Sequence, residues 1–137
     1  MALSGDEVRQ LVKMALKEDV GSGDVTTLSL VPPQARTTAI MVAREPLTVA
    51  GLEMAELTFR ECSPGISLSR HATDGEVVGK GRVLLKISGP AGPILTAERV
   101  ALNFVQRLSG VATLTARYVS AVEGTRAQLL DTRKTIP

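Results

Sequence analysis

Val8, Leu11, Val12, Ala15 and Leu16 recur at the three- and four-residue spacing of one helix face, and Ser4 followed by Glu7 has the pattern of a capping box just ahead of them. The spacing predicts an amphipathic helix from about Gly5 to Glu18. A tight acidic loop, Asp19-Val20-Gly21-Ser22-Gly23-Asp24, follows, its two glycines supplying backbone angles that other residues avoid. After Val25-Thr26-Thr27, Pro32-Pro33 breaks the chain, and the β-branched run Thr37 to Val42 predicts a strand within Ala35 to Arg44. From Gly51, Leu52, Met54, Ala55, Leu57 and Phe59 suit a short helix that ends near Cys62 at the Ser63-Pro64-Gly65 turn.

Strands return in the middle of the chain. Ile66 to His71 alternates apolar with polar, Asp74-Gly75 marks a turn, and Val83 to Ser88 reads as a core strand closed by Gly89-Pro90. This section is antiparallel in character. The last third is helical, with one helix expected over Thr96 to Leu108, a break at Ser109-Gly110, and a second from Val111 to about Val122 that Gly124 ends. Ala127 to Leu130 reads as a short apolar strand, followed by the polar burst Asp131-Thr132-Arg133-Lys134-Thr135. The fold class is α+β.

Composition narrows the function. The chain has 137 residues, 44% of them apolar and 22% charged, which suits one domain with a real core. A formal charge of +2 is too small for the continuous basic field of a nonspecific nucleic-acid binder, and one Tyr, two Phe and no Trp leave little for base stacking. The longest stretches without a charge are eleven residues, short of the roughly 18 needed to span a membrane. The single Cys62 excludes an internal disulfide and reads as a small buried apolar residue in a reducing cytoplasm. Acidic residues stand where a secretory signal would be basic, so a cytoplasmic location is expected.

Few residues carry chemistry by themselves. The glycines at 75, 79, 81, 89 and 92 mark corners, because no phosphate-loop pattern surrounds them. His71, the only histidine, reads as a surface or strand-end residue and not as a metal ligand. Ser109 lacks a nucleophile elbow and reads as a helix-break serine. If Thr96 is near an N-cap, Glu98 lies in the first helical turn, where the dipole favours a carboxylate. Arg99 can hold a carboxylate by two parallel hydrogen bonds, serving either a structural ion pair or an anionic ligand, and without context the ion pair is the better reading. Asn103, on a helix with a broad apolar set, reads as a satisfied buried amide. The Asp131 to Thr135 burst sits at the carboxyl end of the expected strand, where parallel α/β folds hold ligands, although on composition alone it is a solvated terminus.

Three segments in order supply the missing context: Glu18-Asp19-Val20-Gly21-Ser22-Gly23-Asp24-Val25-Thr26-Thr27; Glu98-Arg99-Val100-Ala101-Leu102-Asn103 with Gln106-Arg107-Leu108-Ser109-Gly110-Val111-Ala112-Thr113; and Asp131-Thr132-Arg133-Lys134-Thr135-Ile136-Pro137. Together they resemble quinolinate phosphoribosyltransferase, also called carboxylating nicotinate-nucleotide pyrophosphorylase. The resemblance implies an α/β-hammerhead N-terminal domain over residues 1–110, followed over 111–137 by the first helix and strand of a truncated α/β barrel whose remainder is absent. It also implies transfer of a phosphoribosyl group from phosphoribosyl pyrophosphate to the nitrogen of quinolinate, with magnesium and loss of carbon dioxide, giving nicotinate mononucleotide for NAD biosynthesis. Such a site must concentrate cations, because both substrates are polyanions.

By the same resemblance, Arg99 reaches into the partner subunit's site in a homodimer, Arg133 binds a substrate carboxylate, and Thr132 and Lys134 complete the anionic pocket. Magnesium arrives with phosphoribosyl pyrophosphate and is held mainly by the absent barrel, and no metal ligand, catalytic residue, nucleic-acid partner or membrane contact is assigned here. Two alternatives stand beside this reading: a molybdenum-transport-associated relative of the same fold, and a noncatalytic dimerisation module. On either, a chain without most of the barrel exposes apolar surface on Val111, Leu114, Val119, Leu129 and Leu130.

Overall fold

A computed structural model of the chain describes residues 5–130 and residue 132. The capping residue Ser4 and the burst residues Asp131 and Arg133 to Pro137 lie outside the described residues. Helix α1 spans Gly5–Val20, two residues beyond the expected end, and buries Val8 and Val12 as its periodicity requires. Its Arg9 and Lys13 meet Glu61 at 3.2 and 3.7 Å, so the polar flank of the helix is tied to the element it packs on.

The sequence pattern did not suggest a second helix, but α2 occupies Val25–Leu30. The Val25-Thr26-Thr27 start has β propensity, which a local cap overrides: Asp24 accepts a hydrogen bond from the Thr27 amide at 3.1 Å and another from the Thr27 hydroxyl. Strand β1 then covers Arg36–Val42, and the two-residue strand β2 covers Leu47–Thr48.

Helix α3, Leu52–Cys62, is where the apolar spacing put it, and it buries Leu52, Ala55, Thr58 and Phe59. Asp74, across the turn that precedes β4, caps it from outside, accepting from the Gly51 and Leu52 amides at 2.9 and 3.1 Å. Strands β3 (Ser67–Arg70), β4 (Val77–Val78) and β5 (Val83–Pro90) complete the sheets. Strand β5 is central in a fully antiparallel order β1-β5-β3, with Ile87 opposite both Ala39 and Leu68, while β2 pairs with β4. Leu85 and Ile87 point into the core with Met41, and Thr38 and Ser88 meet on the solvent face at 2.9 Å. That alternation is what a sheet with one covered face demands.

A single helix of 32 residues, α4 (Ala91–Val122), replaces the two expected helices. It starts before Thr96 because Pro93 falls in its first turn, where a missing amide hydrogen costs nothing. Ser109 and Gly110 do not break it. Ser109 is 2% exposed and pairs twice with the Ala50 backbone, so tertiary contacts outweigh the local preference of a Ser-Gly step. The expected boundary between residues 110 and 111 therefore falls inside a continuous helix.

Past α4, residues 127–130 carry no strand, contrary to expectation. A strand exists only as part of a ladder, and among the described residues none pairs with this segment. It shares the lining of an open recess with Ala116, Val119, Ser120, Val122 and Glu123, and Val111, Leu114, Val119, Leu129 and Leu130 are all exposed as expected. The main core joins β1, β5, α3 and the first half of α4, centred on Leu52, Leu85, Ala97 and Ala101.

Candidate functional site

The end of α1 and the middle of α4 enclose a recess of about 360 Å³ lined by Glu18 and Asp19 on one side and by Arg99, Asn103 and Arg107 on the other. Spacing of four residues along α4 puts Arg99, Asn103 and Arg107 on one face, and Val100 and Phe104 form the apolar floor between them. A second recess of about 270 Å³ adjoins it, bounded by the Asp19 to Val25 loop and by Leu95 and Thr96. Asp19 and Arg99 line both.

Arg99 Nη1 donates to Asp19 Oδ1 at 3.2 Å, and the arginine side chain is 81% exposed. The ion-pair reading is thus correct in geometry, but the guanidinium is not sequestered by it. One helical turn before Arg99, the Thr96 hydroxyl donates to Asp24 Oδ2 at 3.2 Å, fastening the loop to α4. The Thr27 hydroxyl and then the Thr27 amide hold the Asp24 carboxyl below its ordinary range against the cost of desolvation, with smaller help from the Thr96 hydroxyl and the Arg99 charge. At neutral pH the loop therefore presents a firm anion beside Arg99.

Several expected positions differ. Glu98 is exposed and lies two turns into α4, since the helix starts at Ala91. Asn103 is exposed at the recess and is not a buried amide. His71, by contrast, is the exposed strand-end residue expected, directly after β3 with its Nε2 3.3 Å from the Ser69 hydroxyl. Cys62 is half-buried, and burial, followed by the Glu61 charge, pushes its thiol up, away from a nucleophilic thiolate at neutral pH.

Of the residues assigned to the anionic pocket, Thr132 is described and exposed, while Arg133 and Lys134 lie outside the described residues. The structure does not bring Arg99 toward the segment that leads to them. Residues 127–130 line an open recess with Ala116 and later residues of α4, and at about 1.5 Å per residue Arg99 is roughly 25 Å from Ala116 along the helix axis. Asp19, Asp24 and Arg107 were not singled out by residue-level reading, although the acidic loop and the four-residue spacing from Arg99 to Arg107 were available signals. Among the described residues no three His, Cys, Asp or Glu side chains gather as metal ligands would, and no helix is long and apolar enough to cross a membrane.

The family model described as Quinolinate phosphoribosyl transferase, N-terminal domain, matches residues 24–109. A tobacco (Nicotiana tabacum) protein named quinolinate phosphoribosyltransferase [decarboxylating] 2b, mitochondrial, is 40% identical over 132 residues, which cover 96% of this chain and 37% of that protein. The nicotinate-nucleotide pyrophosphorylase [carboxylating] of Mycobacterium leprae is 41% identical over 135 residues, covering 96% of this chain and 48% of its own. The solved structure of the Francisella tularensis nicotinate-nucleotide pyrophosphorylase superposes with a TM-score of 0.93 at 35% identity, covering 99% of this chain and 49% of that one. The described helices and sheets are thus those of an α/β-hammerhead-like N-terminal domain, and the chain spans half or less of the length of these relatives.

Proposed function

The chain belongs to the quinolinate phosphoribosyltransferase family, and from that premise we propose that it is the N-terminal part of an enzyme that makes nicotinate mononucleotide for NAD biosynthesis. The ring nitrogen of quinolinate bonds to the anomeric carbon of phosphoribosyl pyrophosphate as pyrophosphate leaves, and carbon dioxide is lost. This chain's contribution is electrostatic. Arg99 offers its fork to a carboxylate of quinolinate in the neighbouring subunit's site, Arg133 binds a carboxylate in its own, and Thr132 and Lys134 complete the pocket.

One observation carries this reading: Arg99 projects into solvent from a long helix, roughly 25 Å along its axis from Ala116, with which the 127–130 segment lines a recess. A fork held so far from that segment serves a homodimer in which sites are shared across the two-fold axis. Within it, residues 1–110 form the hammerhead domain and 111–137 the entry to the barrel, with α4 as a stiff connection between them. Magnesium accompanies the phosphoribosyl donor. Among the described residues no three His, Cys, Asp or Glu side chains gather to hold it. The lone Cys62, which lacks a disulfide partner within the chain, suits a reducing compartment such as the cytoplasm, and the name of the tobacco relative places that protein in mitochondria.

Joining this chain to the remainder of the Mycobacterium leprae relative, in place of the segment it matches, tests the proposal. The chimaera is expected to form nicotinate mononucleotide from quinolinate and phosphoribosyl pyrophosphate. A folded, dimeric chimaera without that activity would contradict the reading.

A further inference from the structure

Among the arginine–carboxylate pairs of the described residues, those of Arg70 and Arg99 differ in a telling way. Arg70 uses its Nε and Nη2 together, each 2.9 Å from one oxygen of Glu56, which saturates the edge of the guanidinium best matched to a carboxylate. Arg99 touches Asp19 through Nη1 alone, at 3.2 Å, and its Nε–Nη2 edge has no partner among the described residues. The first is a closed structural pair. The second holds the side chain at one corner and leaves the fork open.

That contact does little for stability, because ion pairs this exposed are screened by solvent and offset by the entropy of holding a long side chain. Its geometry is nevertheless well anchored. Asp19 sits at the end of α1, where Gly21 N–H bonds back to the Lys17 carbonyl, and Asp24 fastens the following loop to Thr96 on α4, three residues before Arg99. The carboxylate that meets Arg99 is thus fixed to the same helix that carries Arg99.

We propose that Asp19 is a positioning residue for Arg99: it pins the guanidinium through Nη1 and so presents the free Nε–Nη2 edge to a carboxylate of the incoming ligand. The proposal rests on the reading of Arg99 as a quinolinate-binding residue and adds the group that orients it. Preorganisation of a rotamer-rich side chain lowers the entropy lost when the ligand binds, so the effect falls on capture of the carboxylate substrate and not on the phosphoribosyl donor.

Two measurements test it. In the 137-residue chain, Asp19→Ala is expected to raise the nanosecond mobility of the Arg99 Nε–Hε group in ¹⁵N relaxation while the backbone amides of α1 and α4 keep theirs. In the chimaera, the same substitution is expected to raise the quinolinate KM about five- to tenfold, as for a lost contact worth roughly one order of magnitude in affinity, with the donor KM unchanged, and Asp19→Glu is expected to restore part of it. Added to Arg99→Ala, Asp19→Ala should cause no further change in quinolinate KM. An unchanged Arg99 mobility, an unchanged quinolinate KM, or fully additive effects would overturn the positioning role. Should Arg99→Ala itself leave the quinolinate KM unchanged, the functional reading of Arg99 fails and the positioning role falls with it, an outcome distinct from a loss confined to Asp19.

Discussion

The Ser109 hydroxyl clasps both polar groups of a single residue: it accepts from the Ala50 amide at 3.0 Å and donates to the Ala50 carbonyl at 3.1 Å. The clasp joins the middle of α4 to the turn that starts α3. One turn further along, Thr113 accepts from the Thr48 amide at 2.9 Å, so two hydroxyls of α4 do for residues 48–50 what a neighbouring strand would. Ser109→Ala leaves both Ala50 groups without this partner and is expected to cost about 1–3 kcal/mol of stability. Urea unfolding followed by circular dichroism checks it, and a loss below a few tenths of a kcal/mol would contradict the clasp's importance.

That clasp also explains where the sequence pattern misled. The runs at Thr37 to Val42 and Val83 to Ser88 were readable as strands because β-branched and alternating residues match a half-covered antiparallel sheet, and α3 was readable from its apolar spacing. Ser109-Gly110 carries every local mark of a helix end, yet the partner that keeps it helical lies 59 residues away. Residues 127–130, Ala-Gln-Leu-Leu, form a mostly apolar run without β-branched residues, and an apolar run cannot supply a ladder partner. The site divides similarly. Arg99 was legible through the motif around it, whereas its contact with Asp19 spans 80 positions and leaves no mark in either local pattern.

Two glycines should respond in opposite directions to the same substitution. At Gly51, φ is +92° and an added Cβ would meet Leu108 Cδ1 at 2.8 Å and the Phe104 carbonyl oxygen at 3.3 Å, so Gly51→Ala is expected to cost about 1–3 kcal/mol. At Gly110, inside α4, nothing lies within 4 Å of an added Cβ. Gly110→Ala should stabilise the chain by about 0.5–1 kcal/mol through helix propensity. Thermal unfolding of the two variants checks both signs.

Acid should undo the cap of α2 late. Because folding holds the Asp24 carboxyl below its ordinary 3.8, its contribution is fully present above that value and is lost as pH falls through the lower, folded value. The Thr27 amide proton, which the carboxylate accepts, is expected to titrate in NMR with a midpoint below 3.8, and not to titrate in Asp24→Asn. A midpoint at or above 3.8 would contradict the hydrogen-bonded carboxylate.

Arg133 and the phosphoribosyl donor should be separable by calorimetry of the chimaera. Arg133→Ala removes a charge-assisted contact to a bound anion and is expected to weaken quinolinate by about 2–5 kcal/mol, with a much smaller effect on phosphoribosyl pyrophosphate. Equal losses for the two ligands would assign Arg133 to neither carboxylate.

The sharing of sites between subunits is tested most directly by mixing impaired variants. At a quinolinate concentration near the KM of the unsubstituted chimaera, the Arg99→Ala and Arg133→Ala chimaeras should each show only residual activity, since every site in either homodimer lacks one of the two arginines. Random exchange makes half of the dimers mixed, and each mixed dimer has one site with both arginines intact, so about a quarter of the unsubstituted chimaera's activity should return. Recovery near that level means that Arg99 acts in the neighbouring subunit's site. No recovery after subunit exchange has been demonstrated by mass spectrometry would contradict the account, leaving Arg99 to its own chain's site or to its pair with Asp19 alone.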